Sequence, residues 1–598
     1  MRVADYIAQF IAEHEQTAKT VFMVSGGGNM HLIDALGRNE KLRYVCNHHE
    51  QACAIAAEGY SRVSNQIGVA YVTTGPGGTN AITGVMGAWV DSIPMLIVSG
   101  QVKFQTTIAS QPELNLRQLG DQEINIVDIV RPITKYAVMI TDKKTLRYHL
   151  EKAVYEAKHS RPGPVWLDVP LDIQGAQIEP ESLEGFTPPP EPASDLKIDQ
   201  VVAALKRAKR PVIIAGNGIV LSGAVGEFRA LAEKLDIPVL GTFARYDIVK
   251  ESDSCYAGRF GTIGHRAGNF AVQNSDLIIA IGARLNVRAV SYNWEYFGRE
   301  AEKVVVDIDE NELKKHTIKV DVPVCADAGA FIRALSAALD APSPGHQRWM
   351  EQCRRYRETF PTIIEERQNS ESGVDSYNFF DVLSDCAAVD AVFVFGNGTA
   401  CVSSYQSLRL KQGQNIVVNS GCASMGYDLP AAIGACYGAP DRQIICVTGD
   451  GSMQMNLQEL QTIAHNCLPI KLFVLNNEGY ISIRNTQRGF FKGHFVGCEE
   501  SSGVSCPDTL KITGAYGLKS GKIGNQQWLA EQIEAILSED GAVVCEVMLD
   551  PNEKMEPKLS SEVKPDGRIV SKPLEDMFPF LDREVFNQQM IIGTIDEE

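Results

Sequence analysis

The segment VTGDGSMQMNLQELQTIAHNCLPIKLFVLNN, Val447 to Asn477, sets an aspartate between two glycines and, further on, ends in an asparagine pair. Neither residue type favours the interior of a strand, so the placement asks for a chemical reason. One carboxylate (Asp450) and one amide oxygen (Asn477) make a sparse set of hard ligands. Such a set suits Mg2+, which takes few protein groups and completes its octahedron with phosphate oxygens and water. Gly451 and Ser452 open the following helix, where main-chain N–H groups and the helix dipole favour a phosphate. Gly449 and Gly451 leave the main chain open to its approach. The combination predicts a magnesium diphosphate site, although G-D-G and N-N taken singly read as a turn and a strand cap.

The elements that must position these groups are legible in the same segment. QIICVTG is a continuous apolar strand, NLQELQTIA places Leu457, Leu460 and Ile463 on one helix face, and IKLFVL is the next strand. A strand–helix–strand crossover makes the strands parallel, so their carboxyl ends share one edge of a sheet. Asp450 and Asn477 fall at those ends, and open α/β sheets bind ligands along that edge.

The chain has 598 residues, 44% apolar and 22% charged, with a formal net charge of −18. That length calls for several domains, and the acidic balance argues against a nucleic-acid-binding surface. Fourteen cysteines form no C-x-x-C pair and no dense cluster, so they read as small buried hydrophobes of a reducing compartment. The N-terminus has helical spacing (Val3, Ile7, Phe10, Ile11) broken by charges, without the apolar run of a signal peptide. No 18-residue apolar stretch occurs. The expectation is a cytoplasmic protein with neither membrane nor nucleic acid as partner.

Two linkers, FTPPPEPASD (Phe186 to Asp195) and APSPGH (Ala341 to His346), divide the chain. Each block alternates apolar runs with glycine-rich turns and amphipathic helices. The first has IGVAYVTTG, PMLIVSG and GPVWLDVP; the second RPVIIAGNG, LIIAIGAR and KVVVDID; the third AVFVFGNG, QIICVTGD and KLFVLNN. This pattern predicts an α/β chain of three successive doubly wound parallel-sheet domains. They are expected at residues 1–185, 196–340 and 370–555, followed by an aperiodic surface tail over 556–598. No internal sequence repeat is visible.

The G-D-G to N-N segment resembles the thiamine-diphosphate (ThDP) motif. VFMVSGGGNMHLIDAL, NHHEQACAIAAEGYSR, TTGPGGTNAITGVMGAWVDSIPMLIVSGQV and SGCASMGYDLPAAIGA extend the resemblance over nearly the whole chain, to the acetolactate synthase catalytic subunit. In that family the first domain binds the aminopyrimidine, the last binds the diphosphate, and the cofactor bridges two subunits. The resemblance therefore implies a homodimer or homotetramer with active sites at the subunit interface. It also implies that Glu50 hydrogen-bonds the aminopyrimidine, whose amino nitrogen then takes the thiazolium C2 proton. Pro76 and Asn80 match pyrimidine-side contacts, Gln122 a glutamine near the reacting carbon, and Gly27 and Gly28 the glycine turn beside the substrate. Met425 matches the bulky residue that bends the cofactor, and Ala423 would offer its carbonyl to the amino group. Asp450 and Asn477 match the metal ligands, with the Gly479 carbonyl as the third. Gly398, Thr399, Gly451, Ser452 and Tyr480 complete the expected cofactor contacts, but Thr399 and Ala400 stand where the family has glutamine and histidine. His48 and His49 are expected to serve packing or hydrogen bonding near a helix start.

RPVIIAGNGIV, GRFGTIGHRAGN, IAIGARLNVR and VVDIDENEL resemble the middle domain that holds FAD in that family. Gly216, Gly218, Gly282, Arg284, Arg288, Asp307 and Asp309 fall where FAD contacts would be expected; the alternative is an empty middle domain. The reaction implied is ThDP- and Mg2+-dependent decarboxylation of a 2-keto acid, pyruvate, with transfer of the two-carbon unit to a second carbonyl. After N-N the family carries a tryptophan that shapes the acceptor pocket, whereas EGYISIRNTQRGFFKG has none and Thr486 stands nearest its place. The expected pocket is larger, so a bulky acceptor such as a keto sugar nucleotide is the runner-up, with a flavin-dependent pyruvate oxidase behind it. Arg484, near that mouth, has two readings: a partner for an anionic acceptor, or a plain surface arginine.

Overall fold

A computed structural model of the chain describes residues 1–190, 194–339, 345–563 and 568–595. Parts of both linkers, 191–193 and 341–344, therefore lie outside the described residues. Each of the nine apolar runs quoted above forms a strand. Ile67–Val72, Met95–Gln101 and Pro164–Pro170 are buried along their whole length, as strands covered on both faces must be.

All three large sheets are parallel and six-stranded. In spatial order the first runs Arg43–Cys46, Thr17–Met23, Ile67–Val72, Met95–Gln101, Pro164–Pro170, Tyr136–Met139. The third runs Asn415–Val418, Val392–Phe395, Ile444–Gly449, Lys471–Asn476, Val543–Met548, Lys519–Ile523. Counted within each domain, both orders are 2-1-3-4-6-5, so the fold repeats where the sequence shows no repeat. The middle sheet runs Tyr256–Arg259, Val239–Gly241, Pro211–Ala215, Leu277–Ile281, Glu302–Asp307, Val322–Cys325. Its order, 3-2-1-4-5-6, is that of dinucleotide-binding sheets.

The first and third domains share one continuous core. It is closed by helix Glu50–Ser64 crossing helix Asp428–Gly438 at backbone contact: a Cβ on Gly59 would lie 2.4 Å from the Ala431 carbonyl oxygen. Gly434 is held as closely, its added Cβ 1.9 Å from the Ala56 oxygen. From the middle domain, the buried Arg259 guanidinium donates to the carbonyls of Ser404 and Tyr405, at the end of helix Thr399–Ser407. The tail does more than lie over the surface. Leu574, Met577 and Phe586 are buried, and Glu575 pairs with Arg299 of the middle domain at 2.7 Å. Among the described residues, no helix is long and apolar enough to cross a membrane.

Candidate active site

Strand ends of the first sheet gather one set of predicted residues. After Thr17–Met23 the chain turns through Gly27 and Gly28; a Cβ on Gly28 would lie 1.9 Å from Thr74 Oγ1, whereas one on Gly27 would meet nothing. Packing demands the second glycine, and the first faces open space. After Arg43–Cys46, His49 caps helix Glu50–Ser64, its Nδ1 accepting from the Gln51 N–H at 3.1 Å. Glu50, 8% exposed in the first turn, accepts from Asn80 Nδ2 at 3.0 Å. Asn80 ends the short helix Pro76–Asn80, whose N-cap Gly75 has φ +61° and presses on the Gln122 carbonyl. The Gln122 main chain is thereby set against the turn that precedes Pro76.

The third sheet gathers the other set. Asp450 Oδ1 accepts from the Gly451 N–H at 2.8 Å, and Oδ2 accepts from the Gly479 N–H at 2.9 Å. The G-D-G and N-N loops are thus tied together. Asn477 Nδ2 donates to Thr399 Oγ1 at 3.4 Å, while its Oδ1 is buried with no hydrogen-bond partner. An unpaired buried amide oxygen is costly, and a cation beside it would remove the cost. Burial pushes the Asp450 carboxyl up to about 6, a penalty on the ionised form that the same cation would relieve. Among the described residues no three His, Cys, Asp or Glu side chains cluster as metal ligands. The donor set therefore fits a hard cation that borrows oxygens from a phosphate, and does not fit zinc.

Open space lies in front of this set. A Cβ on Gly449 would meet nothing, and one on Gly398 (φ +75°) would find only Ser482 Oγ at 3.8 Å. Gly451 differs from expectation, because the space before it is filled by the Tyr480 ring. The Ser452 hydroxyl is also engaged: it donates to Asp428 Oδ2 at 2.7 Å and accepts from the Gly426 N–H at 3.0 Å. It fastens the helix start to the loop carrying Ala423 (φ +53°) and the half-buried Met425.

Arg484 matches neither of its two readings. Its side chain is 3% exposed and donates to the main-chain carbonyls of Asn477, Glu478 and Pro551. It therefore cannot face an acceptor from this position.

In the middle domain a cavity of about 380 Å³ opens at the strand ends where the sheet order reverses. Gly218, Gly282, Arg284, Arg288 and Asp307 line it, joined by Asp91 and Arg161 from the first domain and Ser420 from the third. Gly216 is not among the lining. Its added Cβ would lie 2.2 Å from Ala283 Cα, so it serves the close approach of two strand-end turns. Asp309 pairs with Arg161 at 3.0 Å. Arg288 stacks over Phe243 at 4.7 Å.

The sequence reading missed Glu459. This buried carboxylate accepts from Asn47 Nδ2 at 2.8 Å and the His48 N–H at 3.0 Å, so the third domain holds the loop before Glu50. Asn456 adds a bond to Gln51 Oε1 at 2.9 Å. Asn456 and Glu459 stand at helical spacing with Leu460 and Ile463, on the face already marked as buried; polar residues there were the available signal.

Comparison with known proteins bears on both sets at once. The family described as "Thiamine pyrophosphate enzyme, N-terminal TPP binding domain" matches residues 1–124, the central domain of that family matches 198–335, and its C-terminal TPP binding domain matches 396–547. The acetolactate synthase large subunit of Porphyra purpurea is 31% identical over 90% of this chain and 91% of its own length. That of Lactococcus lactis subsp. lactis is 30% identical over 93% and 94%. The isozyme 1 large subunit of Escherichia coli (strain K12) is 29% identical over 93% and 95%. With all three domains matched in order, the chain belongs to the thiamine pyrophosphate enzyme family and is an acetolactate-synthase-like ThDP-dependent enzyme.

Proposed function

We propose that the chain is a ThDP- and Mg2+-dependent decarboxylating carboligase, joining the two-carbon unit of pyruvate to a second carbonyl. The observation that carries this reading is the unpaired, buried Asn477 Oδ1 on a loop tied to Asp450 through the Gly479 N–H, with room left beside the neighbouring turns at Gly398 and Gly449. Asp450, Asn477 and the Gly479 carbonyl would hold Mg2+, and main-chain N–H groups around Gly398 would meet the diphosphate. When bound, ThDP supplies the nucleophilic carbon that attacks the keto acid and accepts the electrons of decarboxylation. Asn80 fixes one Glu50 oxygen, leaving the other to exchange a proton with the cofactor's ring nitrogen. Met425 would prop the cofactor, and Gln122 and the open Gly27 turn would meet the substrate.

The same reading assigns the middle cavity to FAD. Arg284 and Arg288 would face its pyrophosphate and Asp307 a ribose hydroxyl. It also assigns the active site to a homodimer or a pair of dimers. Exposed apolar residues border both sets: Met30 (47%) follows the Gly27 turn, and Met455 (48%) packs beside Gly426. Such a face fits a second copy of the chain.

Acceptor size is the one point where a second reading has support. Thr486 is exposed, and its hydroxyl is turned back onto the Ser482 carbonyl at 3.0 Å. A threonine gives no bulky wall at that position, which favours a large acceptor such as a keto sugar nucleotide. The test is product analysis from pyruvate with ThDP and Mg2+, alone and with 2-ketobutyrate or a keto sugar nucleotide. A carboligation product with any acceptor supports the proposal; peroxide formation with no carboligation product contradicts it.

A further inference from the structure

The metal assignment leaves a buried cation unexplained. Helix Ile481–Phe490 follows Tyr480 directly, and Arg484 points from its first turn back under the N-N loop. Nη1 donates to the Glu478 carbonyl at 2.8 Å; Nη2 donates to the Asn477 carbonyl and, at 2.8 Å, to that of Pro551. Nε is buried without a partner. Among the described residues the hydrogen-bond partners of Arg484 are all main-chain carbonyls and none is a carboxylate, although the residue is only 3% exposed. A buried guanidinium balanced only by carbonyl dipoles is expensive to desolvate, so something must gain from it.

Two features of the proposed loaded site match this arrangement. A diphosphate and the Asp450 carboxylate together carry more negative charge than one Mg2+ cancels, so a nearby fixed cation lowers the energy of the filled site. The residues whose carbonyls Arg484 grips, Asn477 and Glu478, immediately precede Gly479, whose own carbonyl is the third expected ligand. Only a planar fork reaches three carbonyls on two chain segments; a lysine ammonium presents a single point.

We propose that Arg484 is a positioning residue for the metal centre, tying the Asn477–Glu478 main chain to Pro551 and supplying counter-charge to the filled site. This rests on the assignment of Asp450 and Asn477 as Mg2+ ligands, and the two ideas separate experimentally. Mn2+ serves as the probe, its binding read by electron paramagnetic resonance in the presence of ThDP. Wild type, Asp450→Ala, Arg484→Lys and Arg484→Gln are compared, each checked by circular dichroism for native secondary structure. The expected result is at least a tenfold weaker Mn2+ affinity in both Arg484 variants. Excess metal should restore turnover more fully in Arg484→Lys, which keeps the charge, than in Arg484→Gln. Folded Arg484 variants that bind Mn2+ as the wild type does would overturn this inference alone. Wild type that takes up no Mn2+, or Asp450→Ala that takes it up normally, would bring down the metal assignment itself. If neither Arg484 variant folds, hydrogen exchange on the wild type decides: Mn2+ and ThDP should protect residues 477–485 and the main chain around Asn552 together. Protection of the first segment without the second would overturn the proposed tie.

Discussion

The ring of Tyr480 occupies the space that a side chain on Gly451 would need: a Cβ built there lies 2.2 Å from Tyr480 Cε1. The G-D-G loop and the segment after N-N are therefore fitted to each other, beyond the bond from the Gly479 N–H to Asp450. Gly451→Ala should push the ring away and loosen both loops. Overpacking of this kind typically costs about 1–3 kcal/mol, so ThDP and Mg2+ affinity, measured by calorimetry, should fall roughly tenfold or more. Unchanged affinity would show that the contact is incidental.

Glu50→Gln keeps the shape and the bond to Asn80 within reach but removes the ionisable oxygen. Pyruvate consumption should slow by roughly 100-fold or more, the usual weight of a positioned proton-transfer group. Circular dichroism should be unchanged. A near-normal rate would contradict the role given to Glu50.

Asp450→Ala removes the charged member of the expected ligand set and the acceptor of the Gly451 and Gly479 N–H groups. Mg2+ and ThDP binding should weaken together, because the metal and the diphosphate share oxygens. Titration calorimetry with each component separately would expose the opposite outcome, ThDP binding that survives without the metal site.

Asp168 offers a stability test away from the chemistry. It is wholly buried, accepting from Ser99 Oγ at 2.6 Å and Gln101 Nε2 at 3.1 Å, and burial pushes its carboxyl up to about 7. In the unfolded chain the same group titrates near ~3.9. The folded state therefore binds the extra proton between these values, so this contribution is full at low pH and is lost as pH rises through 7. Within that window the loss approaches about 1.4 kcal/mol per pH unit. Asp168→Asn, neutral throughout, should lose thermal stability less steeply than the wild type between pH 5 and 7. Parallel melting curves for the two proteins would contradict the shift.

What the sequence reveals follows burial. Central strands such as Ile444–Gly449 and Lys471–Asn476 are apolar and announce themselves, and with them the edge on which Asp450 and Asn477 meet. Edge strands do not: Arg43–Cys46 exposes three of its four residues, and Lys519–Ile523 carries two lysines beside exposed serine. Their identity comes from pairing with a neighbour, which no local pattern records. The shared strand order of the first and third sheets is likewise a property of pairing. At the site, residues whose partners are distant in the chain were not legible: Glu459 meets Asn47 and His48 only after folding. Arg484 reads as a surface charge until its carbonyl partners, one of them at Pro551, are brought together by folding. The close approach of Gly216 to Ala283 is likewise a contact that no local pattern records.

The central claim is that Glu50 of one chain and the Asp450–Asn477 set of another complete a single site. Mixing Glu50→Gln protein with Asp450→Ala protein, each inactive by itself, tests it most directly once subunits have exchanged. The account predicts that turnover of pyruvate returns, because one of the two sites in each mixed dimer then carries both intact halves. Mixed dimers confirmed by native mass measurement, yet as inactive as their parents, would contradict it.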